Sequence, residues 1–199
     1  TIKDHNEYGI LSPLHLNGNG DKLDGGFANY AGPEYTDGLL SDLSLSKVSD
    51  VYESRFVNAA AWLVSKKCLE TVGGFDPIFF HYGEDYNYCQ RVHYHDLKVG
   101  IVPAVKIYHD REYKQQAYES EQIFRHYLIT VADINNDHYL RDKKKLYRQD
   151  KIRMISSLLR RDLKRFRQNR NNIKLKRKFF PEVLESRKKN IKGGPVYIS

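Results

Sequence analysis

Little in this sequence could staple a fold covalently or hold a closed metal site. Two cysteines occur among 199 residues, Cys68 and Cys89, and neither has a CxxC neighbour. Both lie in segments that read as helical, so a thiolate metal site finds no support and buried free thiols in a reducing compartment are expected rather than a disulfide. Also missing is an apolar run near the roughly 20 residues needed to span a bilayer, which points to a soluble or peripheral protein. The chain opens on Thr1 with no basic and apolar leader, as expected of a fragment or processed chain rather than a secreted precursor. Internal repeats are not visible. Such a length suits one ordinary domain, or a smaller one with an appendage.

What is present is an uneven charge. The net +8 divides into −8 over residues 1–140 and +16 over residues 141–199. That step separates an acidic globular part from a basic extension seeking an anionic partner.

Along the chain, Tyr8 to Leu14 reads as a short buried strand ended by proline, followed by turn chemistry at Asn17-Gly-Asn-Gly-Asp21 and a loop-rich stretch from Gly25 to Lys47. The apolar run Phe56–Val64 suggests a second buried strand. Ser65 then looks like the N-cap of a helix over Lys66–Val72, with Gly73-Gly74 as its left-handed stop. Glu84 to His95 has helical spacing. Lys98–Val102, Pro103 and Ala104–Tyr108 read as a bent or paired strand that delivers His109 at its end. Long helices should follow Asp110. One carries an apolar stripe at Phe124, Tyr127-Leu128 and Val131, and another, strongly basic, at Ile152, Ile155, Leu159, Leu163 and Phe166.

The chemistry concentrates in Val72-Gly-Gly-Phe-Asp-Pro-Ile-Phe-Phe-His-Tyr-Gly-Glu-Asp-Tyr-Asn-Tyr-Cys-Gln-Arg91, which joins a glycine turn, an aromatic cluster and a carboxylate pair opening a helix. Free amides and the dipole at a helix N-terminus keep carboxylates ionised, which suits a base awaiting a proton. Neighbouring aromatics offer flat apolar faces to sugar rings. Phe75 and Phe79 are expected in the core; Phe80 and Tyr82, with Trp62, are expected to face an acceptor. Asn58, followed by Ala59 and two more alanines, would let backbone and a short amide approach a donor sugar closely.

Together with Tyr8-Gly-Ile-Leu-Ser-Pro, Phe56-Val-Asn-Ala-Ala, Gln90-Arg91 and Pro103…His109, these elements resemble family 2 glycosyltransferases of the A-type fold, particularly rhamnosyltransferase-like enzymes. The resemblance covers roughly Tyr8 to Asp110. It implies an α/β fold comprising the acceptor-side, C-terminal part of the A-type domain over residues 1–112, followed by an α-helical basic extension over 113–199. It also implies an inverting hexosyltransferase in surface polysaccharide synthesis, moving a hexose such as rhamnose from a nucleotide-sugar donor to a glycan or lipid-linked acceptor. In that pattern Asp85 is the catalytic base, Glu84 orients the acceptor or Asp85, and His109 contacts Mn²⁺ or Mg²⁺ on the donor diphosphate. The family's Asp-x-Asp motif does not occur in this sequence, and Asp21-Lys-Leu-Asp24 has the wrong spacing. The donor half is therefore expected upstream, and this polypeptide alone is expected to be inactive.

Plainer readings stand beside these. Glu84 and Asp85 could simply cap a helix, with Glu84 paired to Arg91. Arg91 either fixes the carboxylates, contacts a phosphate or binds the acceptor. His109 could be an ordinary residue closing a strand, and no role falls to His81, His93, His95, His126 or His138. The basic helix reads as a binder of anionic membrane, at the inner face of a cytoplasmic enzyme's membrane, or as a surface that packs on its own domain or a second copy. A nucleic-acid binder would explain the tail but nothing in residues 56–109, so no nucleic acid is expected. A catalytically silent acceptor-binding or assembly module is the other alternative.

Overall fold

The computed structural model describes residues 5–80, 82–110 and 119–198, without the side chains of residues 119, 120 and 143. His81 of the motif lies outside the described residues. The chain folds as mixed α/β in two compact units. Of the described residues, the first unit takes those up to Phe75, Asp85–110 and those from Gly193 on; the second takes Asp76–Glu84 and 119–Lys192. The expected division at 112/113 falls near one of these boundaries. The crossings at 75/76, 84/85 and 192/193 are additional to it.

In the first unit, strand β1 (Tyr8–Asn17) is followed by helices α1 (Gly25–Tyr30) and α2 (Leu39–Leu45), strands β2 (Tyr52–Glu53) and β3 (Leu63–Val64), helix α3 (Lys66–Thr71), and then α4 (Glu84–Tyr94) and strand β4 (Lys98–His109). These strands form a sheet in the order β2-β4-β1-β3. Its centre is the parallel pair β1 and β4, buried as Ile10, Leu11 and Leu14 beside Val99 and Ile101. Each fully buried aliphatic side chain of this kind contributes about 1.5–3 kcal/mol. Pro13 does not end β1 as expected. The register shifts there instead, from Pro13 opposite Val102 to Leu14 opposite Lys106, so β4 absorbs the bend with three extra residues and both strands run on.

The single strand expected over Phe56–Val64 is corrected to Leu63–Val64 alone. Phe56 and Val57 are buried, but as loop residues packed against the core, and an apolar run carries no signal that separates those two cases. The stretch from Gly25 to Lys47 is also more helical than its turn chemistry suggested. Helix α3 does begin at the Ser65 cap, whose side chain accepts from Cys68 N at 3.1 Å.

Gly73, at φ +83°, closes α3 in the left-handed region and has a second use. The terminal segment lies over it: Gly74 N donates to Val196 O at 2.8 Å and Gly194 N to Thr71 O at 2.8 Å. A Cβ on Gly73 would sit 2.1 Å from Val196 O, so only glycine permits this approach.

The second unit contains α5 (Glu119–Ala132), α6 (His138–Arg141), α7 (Lys143–Leu159) and α8 (Leu163–Lys192). Its core joins Phe79 to Tyr127, Leu128, Val131, Ala132, Leu146, Phe180 and Val183, so Phe79 is core as expected and so is most of the first stripe. The basic stripe from Ile152 to Phe166 does not lie on one helix. α7 stops at Leu159, Arg161 adopts φ +56°, and Asp162 starts α8 by accepting from Arg165 N at 2.9 Å. No helix among the described residues is long and apolar enough to cross a membrane.

Candidate active site

Strand β4 carries His109 to its last position, opposite Asn17 of β1. Beside it is a residue that spacing alone had dismissed. Asp24, 4 % exposed, caps α1 by accepting from Phe27 N at 2.9 Å through Oδ1, while its Oδ2 lies 3.8 Å from His109 Nδ1. His15 is fully buried, bonded to Ser12 Oγ at 3.1 Å, and meets the His109 ring edge-on with centroids 5.9 Å apart. Among the described residues no group of three or more His, Cys, Asp or Glu could hold a metal ion. One imidazole and one carboxylate fall short of a closed site.

From this corner a line of aromatic contacts runs through the first unit. His15 packs on Phe27 at 4.9 Å, Phe27 on Tyr30 at 5.1 Å, Tyr30 on Phe56 at 5.2 Å, and Phe56 stacks on Tyr86 at 3.7 Å with their planes 5° apart. Tyr30 also donates to Asn58 Oδ1, which fixes the amide expected near a donor sugar; Ala59 beside it is exposed. Tyr86 is the neighbour of Asp85, whose Oδ1 accepts from Tyr86 N at 2.8 Å. The line thus ties the His109 corner and the Asp85 end of α4 to one packed frame.

Helix α4 concentrates unmet polar demand in its first turns. Both side-chain amide atoms of Asn87 and Oε2 of Glu84 are buried without a hydrogen-bond partner among the described residues. A buried polar group with no partner typically costs about 1–3 kcal/mol, so these atoms call for one. Asn87 went unnoticed in the sequence because an asparagine within a helical pattern usually faces solvent.

Arg91 is corrected from an acceptor or phosphate contact to a structural clamp. Its side chain is fully buried and donates to the carbonyls of Gly74, at 2.8 Å, and Val72, with its guanidinium 5.3 Å from the Tyr88 ring and 5.4 Å from Tyr197. Trp62 belongs to the same packing, half-buried against Phe75 and Tyr88, and its Nε1 is buried without an acceptor among the described residues. Phe75, expected in the core, is 45 % exposed, because it lies on the outer side of that cluster.

In the second unit, Phe80 is wholly exposed and Tyr82 about half. Tyr82 holds φ +64° and Gly83 φ +99°, a left-handed pair leading into Glu84. One face of the Tyr82 ring is taken by Arg125, whose guanidinium is 4.5 Å from its centroid. Asp76 of the Gly-Gly-Phe-Asp run is buried and bonded to Ser186 and, at 2.8 Å, Asn190 of α8.

A cleft of about 690 Å³ in the second unit is lined by His126, Tyr127, His138, Lys145, Arg148 and Lys176, among others. A smaller one of about 360 Å³ in the first has Glu34, Asp37, Glu53, Arg55 and His93 in its wall. Neither includes Asp85 or His109. Compared with known protein families, with curated proteins and with solved structures, the chain matches none.

Proposed function

We propose that this chain is the acceptor-side part of an A-type, inverting hexosyltransferase with Asp85 as its base. The supporting observation is the first turn of α4. Asp85 there adjoins Tyr86, the end of a line of packed aromatic rings that reaches His109, and buried polar atoms of Glu84 and Asn87 lie nearby along the helix. Buried polar atoms beside a carboxylate at a helix N-terminus suit the hydrogen bonds of a sugar hydroxyl.

In this reading Asp85 takes the proton of an acceptor hydroxyl on a glycan or lipid-linked sugar. The freed oxygen attacks the anomeric carbon of a nucleotide sugar, the bond to the diphosphate breaks, and configuration inverts. Glu84, next to Asp85 in the chain, orients the acceptor, and Asn58 and Ala59 border the donor. A divalent cation on the donor diphosphate, Mn²⁺ or Mg²⁺, would take His109 from this chain, and its chemistry would be to offset charge on the leaving group. Asp24 faces the Nδ1 side of that imidazole. The location that accompanies this reading is the cytoplasmic side of a membrane.

The test is Asp85→Asn in the longest reading frame that encodes these residues, assayed with nucleotide sugars and a glycan acceptor. Turnover should fall by about 10²–10⁴ with an unchanged circular dichroism spectrum. Turnover within about threefold of the parent would remove Asp85 from the reaction. Acceptor binding without any transfer would instead favour a silent acceptor-binding module.

A further inference from the structure

The far end of the α7 and α8 pair carries apolar side chains on its outer surface. Lys176 Nζ meets Asp150 at 2.6 Å and Asn169 meets Ser157 at 3.3 Å, so residues 150 and 157 pair with 176 and 169 and the helices run antiparallel, with Arg160–Asp162 as the tip. Asp150 and Ser157 are buried, and Met154 and Phe166 are half-buried. The other apolar residues of this end face out. Ile152, Ile155, Leu158 and Leu163 are each more than half exposed, and Leu159 is 80 % exposed.

A water-facing helix would reverse this arrangement, since apolar side chains are normally the ones withdrawn from solvent. Around the exposed leucines the chain is strongly basic. Residues 151–167 hold seven Lys or Arg and one acid, Asp162, which caps α8 and pairs with Arg165.

We infer that the tip of this helical hairpin is a membrane wedge, in which Leu158, Leu159 and Leu163 enter the acyl boundary of an anionic bilayer while Arg160, Arg161 and Lys164 bind its phosphates. The charge selects the occupant. A second copy of the chain would bring the same cations against these, whereas an anionic leaflet supplies both the opposite charge and an apolar layer beneath it. This differs from a basic helix lying flat along a membrane, because the break at Arg161 confines insertion to one end of the hairpin. It does not depend on the transfer chemistry.

Vesicle co-sedimentation of the whole chain tests it, using phosphatidylcholine alone and with about one third phosphatidylglycerol. Binding should require the anionic lipid, weaken in high salt, and fall about tenfold or more in Leu159→Ser/Leu163→Ser. Both sites are exposed, so the melting temperature should not move. Because Cys68 and Cys89 are buried, a fluorophore on Leu159→Cys reports the tip alone, and lipid-borne quenchers in the acyl region should dim it. Failure to bind anionic vesicles at low salt, equal binding by the serine variant, or an unquenched label would each overturn the wedge. So would a self-association that the serine variant abolishes while vesicle binding persists.

Discussion

Arg91 donates to the carbonyl oxygen of Gly74 at 2.8 Å from a side chain that water does not reach. With its second bond to the Val72 carbonyl it holds the glycine turn after α3 against the middle of α4. Arg91→Leu strands two buried acceptors and should cost about 3 kcal/mol in urea denaturation. Arg91→Lys should recover only part of this, since one ammonium cannot reproduce the planar fork. Full stability in Arg91→Leu would return the residue to a surface role.

Asp76 should be a fixed point of the second unit. Its carboxylate accepts from Ile78 N at 3.1 Å and from Asn190 and Ser186. Asp76→Ala should lower stability by about 2–4 kcal/mol, while Asp76→Asn, which keeps an acceptor and the volume, should lose less. Thermal melts of the two variants side by side decide this, and equal melting would contradict it.

Gly73→Ala combines a strained φ with a Cβ 2.1 Å from Val196 O. We expect a loss of at least about 2 kcal/mol and release of residues 193–198, seen as faster limited proteolysis within them. Unchanged cleavage would mean that residues 193–198 are held by other contacts.

Burial pushes the Cys68 thiol up to about 11, and Cys89 well above the ordinary thiol range. Neither should react with iodoacetamide at pH 8 until the protein unfolds. For Cys68 the native state keeps its proton longer than the unfolded chain does. The resulting stabilisation is complete below pH 9 and should fade as pH rises toward 11. Cys89 adds to the same decline, so Cys68→Ala should make it shallower without abolishing it; an identical pH profile would remove Cys68 as a source.

Much of the first unit was legible in the sequence wherever one signal dominated. Ser65 announced α3, the Gly-Glu-Asp run announced α4, and the apolar alternation before His109 announced β4. The break at Arg160–Asp162 was hidden because apolar spacing continues across it from Leu159 to Leu163, and a single residue at φ +56° leaves no compositional trace. Arg91 was misread for a different reason. An arginine near two carboxylates looks functional until the carbonyls it serves, 17 and 19 residues back, are seen beside it. Asp76 and Asp24 follow the same rule: their partners lie across folds that local patterns do not encode, in the case of Asn190 114 residues away.

The seat of Val196 and Tyr197 on Gly73, Gly74 and Arg91 bears on how the protein is made. Chains emerge from the ribosome N-terminus first, and early domains usually close before later ones appear. Here Gly73, Gly74 and Arg91 are covered only by residues translated after the whole of α8. A nascent chain arrested before Gly193 would therefore expose an unfinished surface around α3 and α4, which makes that stage of synthesis the one most open to chaperone capture.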